Sequence, residues 1–297
     1  MYGGHGAGII LPLQKRIFRD PSNSVLYPPT AIISDLHSNV PALEAMLADA
    51  RERGAQRFVC LGDMVGYGAN PRYALDLVMV LCAEDAHWPD TEGAKGEKLL
   101  PGLCLKGNHE EALLSSASDF NPKARMAIEW TRGEMDADRD RSDLYWDYIA
   151  GLHASTCDER AMYAHGSPRD PVREYMLPRD IKDREKMSAN FAAMTRSVCF
   201  VGHSHVPAIY YEDGRYFRPE GTSGPYILGD SPDCRAIVNV GSVGQPRDGD
   251  PKLSYAIFDG EAITFCRVEY DIERAASAIR KVEDLPEFLA ERLYTGR

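Results

Sequence analysis

Short apolar runs and helical repeats alternate along the first half of the chain. Residues 30–34 and 57–61 are apolar or β-branched runs that predict strands, and residues 103–105 predict a third. Apolar positions at helical spacing follow the first two runs, over residues 40–50 and 71–83. Ser38 or Asn39 can cap the first helix, Pro41 suits its first turn and Gly54 can end it. This repeated strand-then-helix order favours a parallel sheet.

Strands with short connections replace this pattern after residue 160. They are predicted at 161–164, 198–201, 207–211, 236–240, 253–258 and 261–268, with Asp259-Gly260 as a hairpin turn between the last two. Residues 84–100 and 212–235 are predicted as loops, the second as a loop or a long hairpin tip. Further helices are predicted to begin at Asn121-Pro122, at Ser142 and at Asp271. The helix that begins at Ser142 carries Leu144 and Tyr145. We expect an N-terminal extension over 1–29, one domain over 30–270, and a helical segment over 271–297 packed on that domain.

Composition narrows the class of protein. With 297 residues, 44% of them apolar, the chain can bury a sizeable core. The net charge of −11 disfavours nucleic acid as a partner with a large footprint. No run approaches the ~18 apolar residues of a membrane span. Seven cysteines cannot all pair, and four lie in apolar runs: Cys60, Cys104, Cys199 and Cys266. These features favour a cytoplasmic protein.

Five short polar segments each follow an apolar run and carry side chains that bind metal ions. Because sites in open α/β sheets form beyond the carboxyl ends of strands, we expect these segments to converge. Taken alone, Asp63 could be a turn residue, Asn108 a helix cap, and His165 a buried histidine. Together they predict a two-metal phosphoester hydrolase. The segments are Asp35-Leu-His37, Gly62-Asp63, Gly107-Asn108-His109-Glu110, His165-Gly166 and Gly202-His203-Ser204-His205.

As an ordered set, the patterns D-x-H, G-D-x-x-G-Y-G, G-N-H-E, H-G and G-H-S-H-x-P resemble the calcineurin-like metallophosphoesterase superfamily, over about residues 31–260. The resemblance implies an α/β fold, a four-layer αββα sandwich of two mixed sheets flanked by helices, with a dinuclear metal site at the strand carboxyl ends. Protein Ser/Thr phosphatases of this superfamily have an arginine after the Gly-Asp pair, whereas this chain has Met64-Val-Gly-Tyr-Gly. The chain instead looks most similar to the small bacterial and archaeal phosphodiesterases, which residues 241–249 also resemble.

The resemblance also implies a role for each motif residue. One metal would be held by Asp35, His37, Asp63 and His205, and the other by Asp63, Asn108, His165 and His203. A hydroxide bridging the ions would attack phosphorus, and His109 would protonate the leaving oxygen as general acid. Imidazole and oxygen ligands suit Mn, Fe, Zn or Ni, as divalent or trivalent ions, and these ligand types do not identify which metal is bound.

The expected substrate is a small or medium phosphoester, either a diester or a monoester. Four side chains are candidates for binding it: Arg247, Arg169, Arg72 and Tyr67. A nuclease of the same superfamily is an alternative, which salt-sensitive binding to DNA would favour. A non-catalytic scaffold on this fold is the alternative from another class, and absence of bound metal would favour it. Oligomeric state is left open by the sequence.

Overall fold

The computed structural model describes residues 27–89, 96–117, 120–228 and 234–297. Residues 1–26 of the expected N-terminal extension lie outside the described residues, as do 90–95 and 229–233 of the two predicted loops. The strands of the described part are β1 (Thr30–Ile33), β2 (Arg57–Cys60), β3 (Leu103–Cys104), β4 (Ser155–Cys157), β5 (Ala161–Ala164), β6 (Val198–Val201), β7 (Ala208–Tyr211), β8 (Tyr216–Phe217), β9 (Ser223–Ile227), β10 (Ala236–Asn239), β11 (Leu253–Phe258) and β12 (Ala262–Val268).

These strands form two six-stranded mixed sheets. The first has the order β3-β2-β1-β11-β12-β9, and the second has the order β4-β5-β6-β10-β7-β8. Strands β1, β2 and β3 are parallel neighbours in the first sheet, and β5, β6 and β10 are parallel neighbours in the second. The remaining pairs are antiparallel, including β11 and β12, which the predicted Asp259-Gly260 hairpin joins. The carboxyl ends of two parallel sets are therefore available to build a site.

Two of the described α-helices begin at caps that the sequence predicts. The side chain of Asn39 accepts the N–H of Ala42, and that of Asn121 accepts the N–H of Ala124. Gly54 has φ of +73° just after the first helix, a conformation that glycine adopts without strain. The helices are α1 (Val40–Glu52), α2 (Pro71–Leu81), α3 (Asn108–Leu114), α4 (Pro122–Ala137), α5 (Ser142–Gly151), α6 (Arg184–Ala193), α7 (Ile272–Arg280) and α8 (Phe288–Glu291).

Both faces of the central strands are buried, which arranges the molecule in layers. In β1, Ala31 and Ile33 pack against the cluster formed by α1 to α5, while Ile32 faces the other sheet. Between the sheets, the rings of Phe200 and Phe258 meet edge to face at 5.0 Å. Helix α6 covers the outer face of the second sheet. The four-layer αββα sandwich is confirmed.

The prediction of a loop or hairpin tip over 212–235 is wrong in its described part. That segment contains β8, which extends the second sheet, and β9, which pairs with β12 in the first sheet. The chain thus crosses from one sheet to the other. Residues 223–227 include Gly224 and Pro225 and lie mostly exposed at a sheet edge, so they lack the apolar alternation that marks a strand.

Three smaller features differ from the sequence predictions. Helix α6 was not predicted, because three of its five apolar residues are alanines and only Met187, Asn190 and Phe191 are buried. The predicted surface loop over 84–100 is partly buried, since Trp88 packs on Phe58 at 5.4 Å. Leu144, expected on the apolar face of α5, is exposed.

The longest described helix, α4, has 16 residues, and none in the described part has the length and apolar character to cross a bilayer.

Candidate metal centre

The five predicted segments converge at the carboxyl ends of the two parallel strand sets. Asp35 and His37 follow β1, Asp63 follows β2, and His165 follows β5. His203 and His205 follow β6, and Asn108 opens helix α3 just after β3. All of these except Asn108 are at most 4% exposed. The structure thus brings together every side chain that the sequence predicts as a metal ligand.

The backbone at this site is held in an unusual conformation. Left-handed φ values are uncommon for residues other than glycine, and they cluster at functional sites because the surrounding structure must enforce them. Two of the segment glycines leave the necessary room: a Cβ on Gly107 would collide with Asp63, and one on Gly202 would collide with Ser34. Five of the predicted ligands have such a φ, namely Asp35 (54°), His37 (47°), Asp63 (53°), His203 (63°) and His205 (57°).

Asp35, His37 and His205 form the first group of converging donor atoms. Nε2 of His205 lies 3.2 Å from Nε2 of His37 and 3.0 Å from Oδ1 of Asp35. Oδ1 of Asp35 nevertheless has no hydrogen-bond partner of ordinary geometry. Donors about 2.1 Å from one ion lie about 3.0–3.4 Å from each other. These atoms therefore point to a common centre rather than at one another.

Asp63, Asn108, His165 and His203 form the second group. Nε2 of His165 lies 3.1 Å from Oδ1 of Asn108, 3.1 Å from Nδ1 of His203 and 3.4 Å from Oδ2 of Asp63. The same Oδ2 atom lies 3.9 Å from Nε2 of His37 in the first group. One oxygen of Asp63 therefore faces both groups.

The far ring nitrogen of each of these four histidines contacts a main-chain carbonyl. Such contacts fix the ring and its tautomer and leave the other nitrogen free to bind a metal. Three histidines turn Nε2 toward the cluster, while His203 turns Nδ1. The contacts are His37 Nδ1 with the oxygen of Val65 (3.1 Å), His165 Nδ1 with Leu61 (3.2 Å), His205 Nδ1 with Gln245 (2.5 Å) and His203 Nε2 with Arg173 (3.1 Å).

Burial sets the charge state of the histidines. It lowers the pKa of His165 to about 4 and that of His203 to about 2, and it also lowers the pKa values of His37 and His205. The imidazoles are therefore neutral near pH 7, which is the form that binds metal.

Of the two ligand carboxylates, that of Asp63 carries charge that the protein alone compensates poorly. Burial, and then the negative charges of Glu110 and Asp35, hold the pKa of Asp63 well above its usual range. Burial opposes ionisation of Asp35 too, but the neighbouring histidines His205, His165 and His37 together outweigh it and lower the pKa. Bound cations relieve this kind of repulsion. Neutral imidazoles, a neutral amide and concentrated negative charge fit divalent ions.

Comparison with known proteins assigns the chain to a family. Residues 30–262 match the family model described as the calcineurin-like phosphoesterase superfamily domain. The chain belongs to this superfamily. It is 35% identical over 273 residues to an uncharacterized protein of Methanocaldococcus jannaschii, covering 90% of this chain and 98% of that protein. This phosphoesterase is accordingly a metal-dependent phosphoric ester hydrolase.

Solved structures agree with the fold. A metallophosphoesterase from Sphaerobacter thermophilus is 36% identical, with a TM-score of 0.71 over 91% of this chain and 99% of that one. A hypothetical protein from Pyrococcus horikoshii shares the fold at 18% identity, with a TM-score of 0.66 over 91% and 98% of the two chains.

A cavity of about 250 Å³ opens beside the ligand cluster of this phosphoesterase. His109 lines the cavity next to Asp63, with its Nε2 3.9 Å from Oδ2 of that residue and its Nδ1 buried without a hydrogen-bond partner. Its ring contacts those of Tyr67 and Phe120, at 4.5 and 5.2 Å. His109 is thus close enough to the ligands to act on the same phosphoryl group. The other lining residues include Asn108, Glu111, Ser115, Ser116, Asn121, Arg173, Tyr175 and Arg247.

Of the four side chains predicted to bind substrate, Arg247 and Tyr67 line the cavity. The guanidinium of Arg247 lies 5.7 Å from the centre of the Tyr67 ring. Arg72 and Arg169 are not among the lining residues, and each forms an ion pair with a glutamate. Arg72 pairs with Glu134 at 3.0 Å, and Arg169 pairs with Glu174 at 2.5 Å.

Glu110 is a site residue whose role the sequence reading missed, although the G-N-H-E pattern contains it. It is fully buried. Its two carboxylate oxygens accept four main-chain N–H groups that belong to the loop carrying Asp63 and to the start of α3. They are those of Asp63 (2.8 Å), Met64 (2.8 Å), Val65 (3.3 Å) and Gly107 (2.9 Å). Glu110 therefore fixes the loop that presents Asp63.

Two further lining residues give no signal in the sequence. Tyr175 stacks on the ring of His203 at 3.7 Å. Arg173 supplies the carbonyl that holds His203, and its guanidinium reaches across to Glu111 at 2.7 Å. Both belong to the irregular segment after β5, where no periodic pattern shows which side chains face inward.

Proposed function

We propose that this phosphoesterase hydrolyses a small or medium phosphoester at a two-ion centre. One ion is held by Asp35, His37, Asp63 and His205, and the other by Asp63, Asn108, His165 and His203. The observation that carries the proposal is the pair of donor groups, both buried, which meet at one oxygen of Asp63 beside a cavity. Mn, Fe, Zn and Ni all suit this donor set.

When bound, the ions supply an activated water and neutralise charge on the phosphoryl oxygens. The remaining work belongs to side chains of the chain itself. His109 donates a proton to the leaving oxygen, a role supported by its place in the cavity wall, with its Nε2 3.9 Å from Oδ2 of Asp63. Burial, and then the charge of Arg247, lower the pKa of His109. The negative phosphoryl group of a bound substrate acts in the opposite direction and favours the protonated imidazole.

The size of the cavity supports a small substrate. At about 250 Å³ it is slightly smaller than the range for small-molecule sites, roughly 300–1,000 Å³. A long polyanion would also meet a chain with a net charge of −11. Both observations count against a nuclease and in favour of a compact phosphodiester or phosphomonoester.

A panel of esters tests the proposal. Metal-free protein is loaded with Mn, Fe, Zn or Ni, and its metal content is measured before hydrolysis of aryl and alkyl phosphomonoesters and phosphodiesters. We expect about two metal equivalents per chain and hydrolysis of at least one ester class, and the preferred class assigns the enzyme as a phosphatase or a phosphodiesterase. Protein that binds no metal and hydrolyses no ester would refute the proposal and favour a scaffold.

A further inference from the structure

Arg247 lies on the cavity wall, and its main chain is tied to a proposed metal ligand. Its N–H donates to the oxygen of His205 at 3.2 Å, and Nδ1 of His205 in turn contacts the oxygen of Gln245 at 2.5 Å. A shift of the turn that carries Arg247 would therefore disturb His205. The side chain of Arg247 is partly buried and lines the cavity together with five residues of the site: Asp63, Asn108, His109, His203 and His205.

An ion pair fixes the residue that follows Arg247. The carboxylate of Asp248 accepts a hydrogen bond from Nη2 of Arg267 in β12, and both side chains are only 4% exposed. The start of the turn is fixed as well, since the N–H of Gln245 donates to Oγ of Ser242 at 2.8 Å. Contacts before and after Arg247 thus hold its main chain in one position.

The guanidinium of Arg247 forms no ion pair with an Asp or Glu side chain in the described residues. Its Nη2 donates to the side-chain oxygen of Gln245 at 2.9 Å, which is a neutral acceptor, and its Nε is buried without a hydrogen-bond partner. Arg173, which also lines the cavity, differs because its charge is paired with Glu111. Burial of a charge is unfavourable unless the charge is paired. An anion in the cavity would supply the partner that Arg247 lacks.

The ring of Tyr67 places this guanidinium on the same wall as His109. The centre of that ring lies 5.7 Å from the guanidinium carbon of Arg247 and 4.5 Å from the centre of the His109 ring. A cation over an aromatic ring at this range is attracted to it, which restricts where the guanidinium can lie. Tyr67 itself has a φ of +65°, a conformation that the surrounding structure must enforce. Arg247, Tyr67 and His109 therefore form a connected series along the wall.

We propose that Arg247 binds a non-bridging oxygen of the phosphoryl group that is hydrolysed, and is thus a catalytic residue. This inference rests on the proposed function. The planar fork of donors on arginine matches the oxygens of a phosphoryl group. Negative charge spreads over these oxygens in the transition state, and a cation that the fold already holds in position stabilises that charge without reorganisation. Arg247 takes no part in the exchange of bonds: water adds to phosphorus, the ester P–O bond breaks, and the proton of His109 goes to the leaving oxygen.

Binding of methylphosphonate, which is not hydrolysed, tests this role. Its affinity for the Mn-loaded protein is measured by calorimetry, and metal content is measured on the same samples. We expect Arg247→Gln to weaken binding by about 10–100-fold, as for the loss of a hydrogen bond to a charged group. The variant should retain its metal, because a guanidinium is not a metal ligand. Arg247→Lys keeps the positive charge and should bind more tightly than Arg247→Gln.

A matched control and an ester assay complete the experiment. Arg280→Gln removes an arginine that pairs with Glu287 and does not line the cavity, so it should bind methylphosphonate as the wild type does. For Arg247→Gln, kcat/KM on a phosphoester should fall by at least the factor lost in binding, because the contact is made in the transition state too.

Unchanged affinity in Arg247→Gln, or a loss of metal together with the affinity, would refute the role of Arg247. Equal affinities for Arg247→Gln and Arg247→Lys would refute it as well. Binding is measured without turnover. A wild-type protein that binds methylphosphonate but hydrolyses no ester would therefore refute the proposed function, while the comparison of variants would still decide whether Arg247 binds the phosphoryl group.

Discussion

Replacing Glu110 by Gln keeps the shape of the side chain and removes one of its two acceptor oxygens. In the wild-type protein those oxygens accept four main-chain N–H groups, two on each oxygen. Whichever way the Gln amide turns, its NH₂ group faces two of these donors. Two buried N–H groups are then left without an acceptor.

The size of the effect follows from that count. An unsatisfied buried donor costs about 1–3 kcal/mol, so two cost about 2–6 kcal/mol. Removal of the buried charge offsets part of this, because burial raises the pKa of Glu110 and so opposes its ionisation. We therefore expect a loss of about 2–4 kcal/mol in the free energy of unfolding. The Tm should fall by roughly 3–6 °C.

Chemical and thermal denaturation of the metal-free protein measure this loss directly. Metal titration measures the second consequence, since a residue that orients a ligand typically contributes about 10–100-fold in affinity. The control is Glu129→Gln on the surface of α4, where the carboxylate is half exposed and lies 3.5 Å from Arg132. Such surface pairs contribute about 0–1 kcal/mol. Equal stability and equal metal affinity for the two variants would refute the role given to Glu110.

Three other substitutions test separate parts of the site and the fold. Asp63→Ala should lose both ions and all activity, because one carboxylate serves both donor groups; metal analysis and an ester assay measure this. His109→Ala should keep the metal and lose activity, most severely for esters with poor leaving groups, as a series of aryl esters would show. Asp158→Asn should lower the free energy of unfolding by about 1–2 kcal/mol above pH 4. Burial raises the pKa of Asp158, but hydrogen bonds from Arg57 and other donors outweigh burial and lower the pKa to about 2. That stabilisation is present above the unfolded pKa and is lost as pH falls from about 4 to about 2, which denaturant titrations at several pH values would follow.

Each of these three predictions would be contradicted by a specific result. Two metal equivalents retained by Asp63→Ala would exclude the shared carboxylate. Equal losses on good and poor leaving groups would exclude His109 as the acid. A stability difference for Asp158→Asn that stays constant between pH 2 and pH 5 would show that ionisation of this carboxylate does not contribute.

The predicted ligands could be found from sequence because each follows a strand, and the carboxyl ends of parallel strands meet at one edge. Caps are equally local: Asn121 was predicted to open its helix, and Asn39 was one of two candidates, with Ser38, for the first helix. Tyr175 could not be found in this way, because its place depends on the contact of its ring with His203, in a segment further along the chain. Strand β9 was missed for the same reason, since only its pairing with β12 makes residues 223–227 a strand.

The two parallel strand sets belong to different sheets, and this has a consequence for the stability of the protein. In the proposed assignment, each ion takes ligands from both sheets: Asp35, His37 and Asp63 follow strands of the first, while His165, His203 and His205 follow strands of the second. Each ion would therefore act as a cross-link at the rim of the sandwich. Metal occupancy and the docking of one sheet on the other are then thermodynamically linked, so that each strengthens the other.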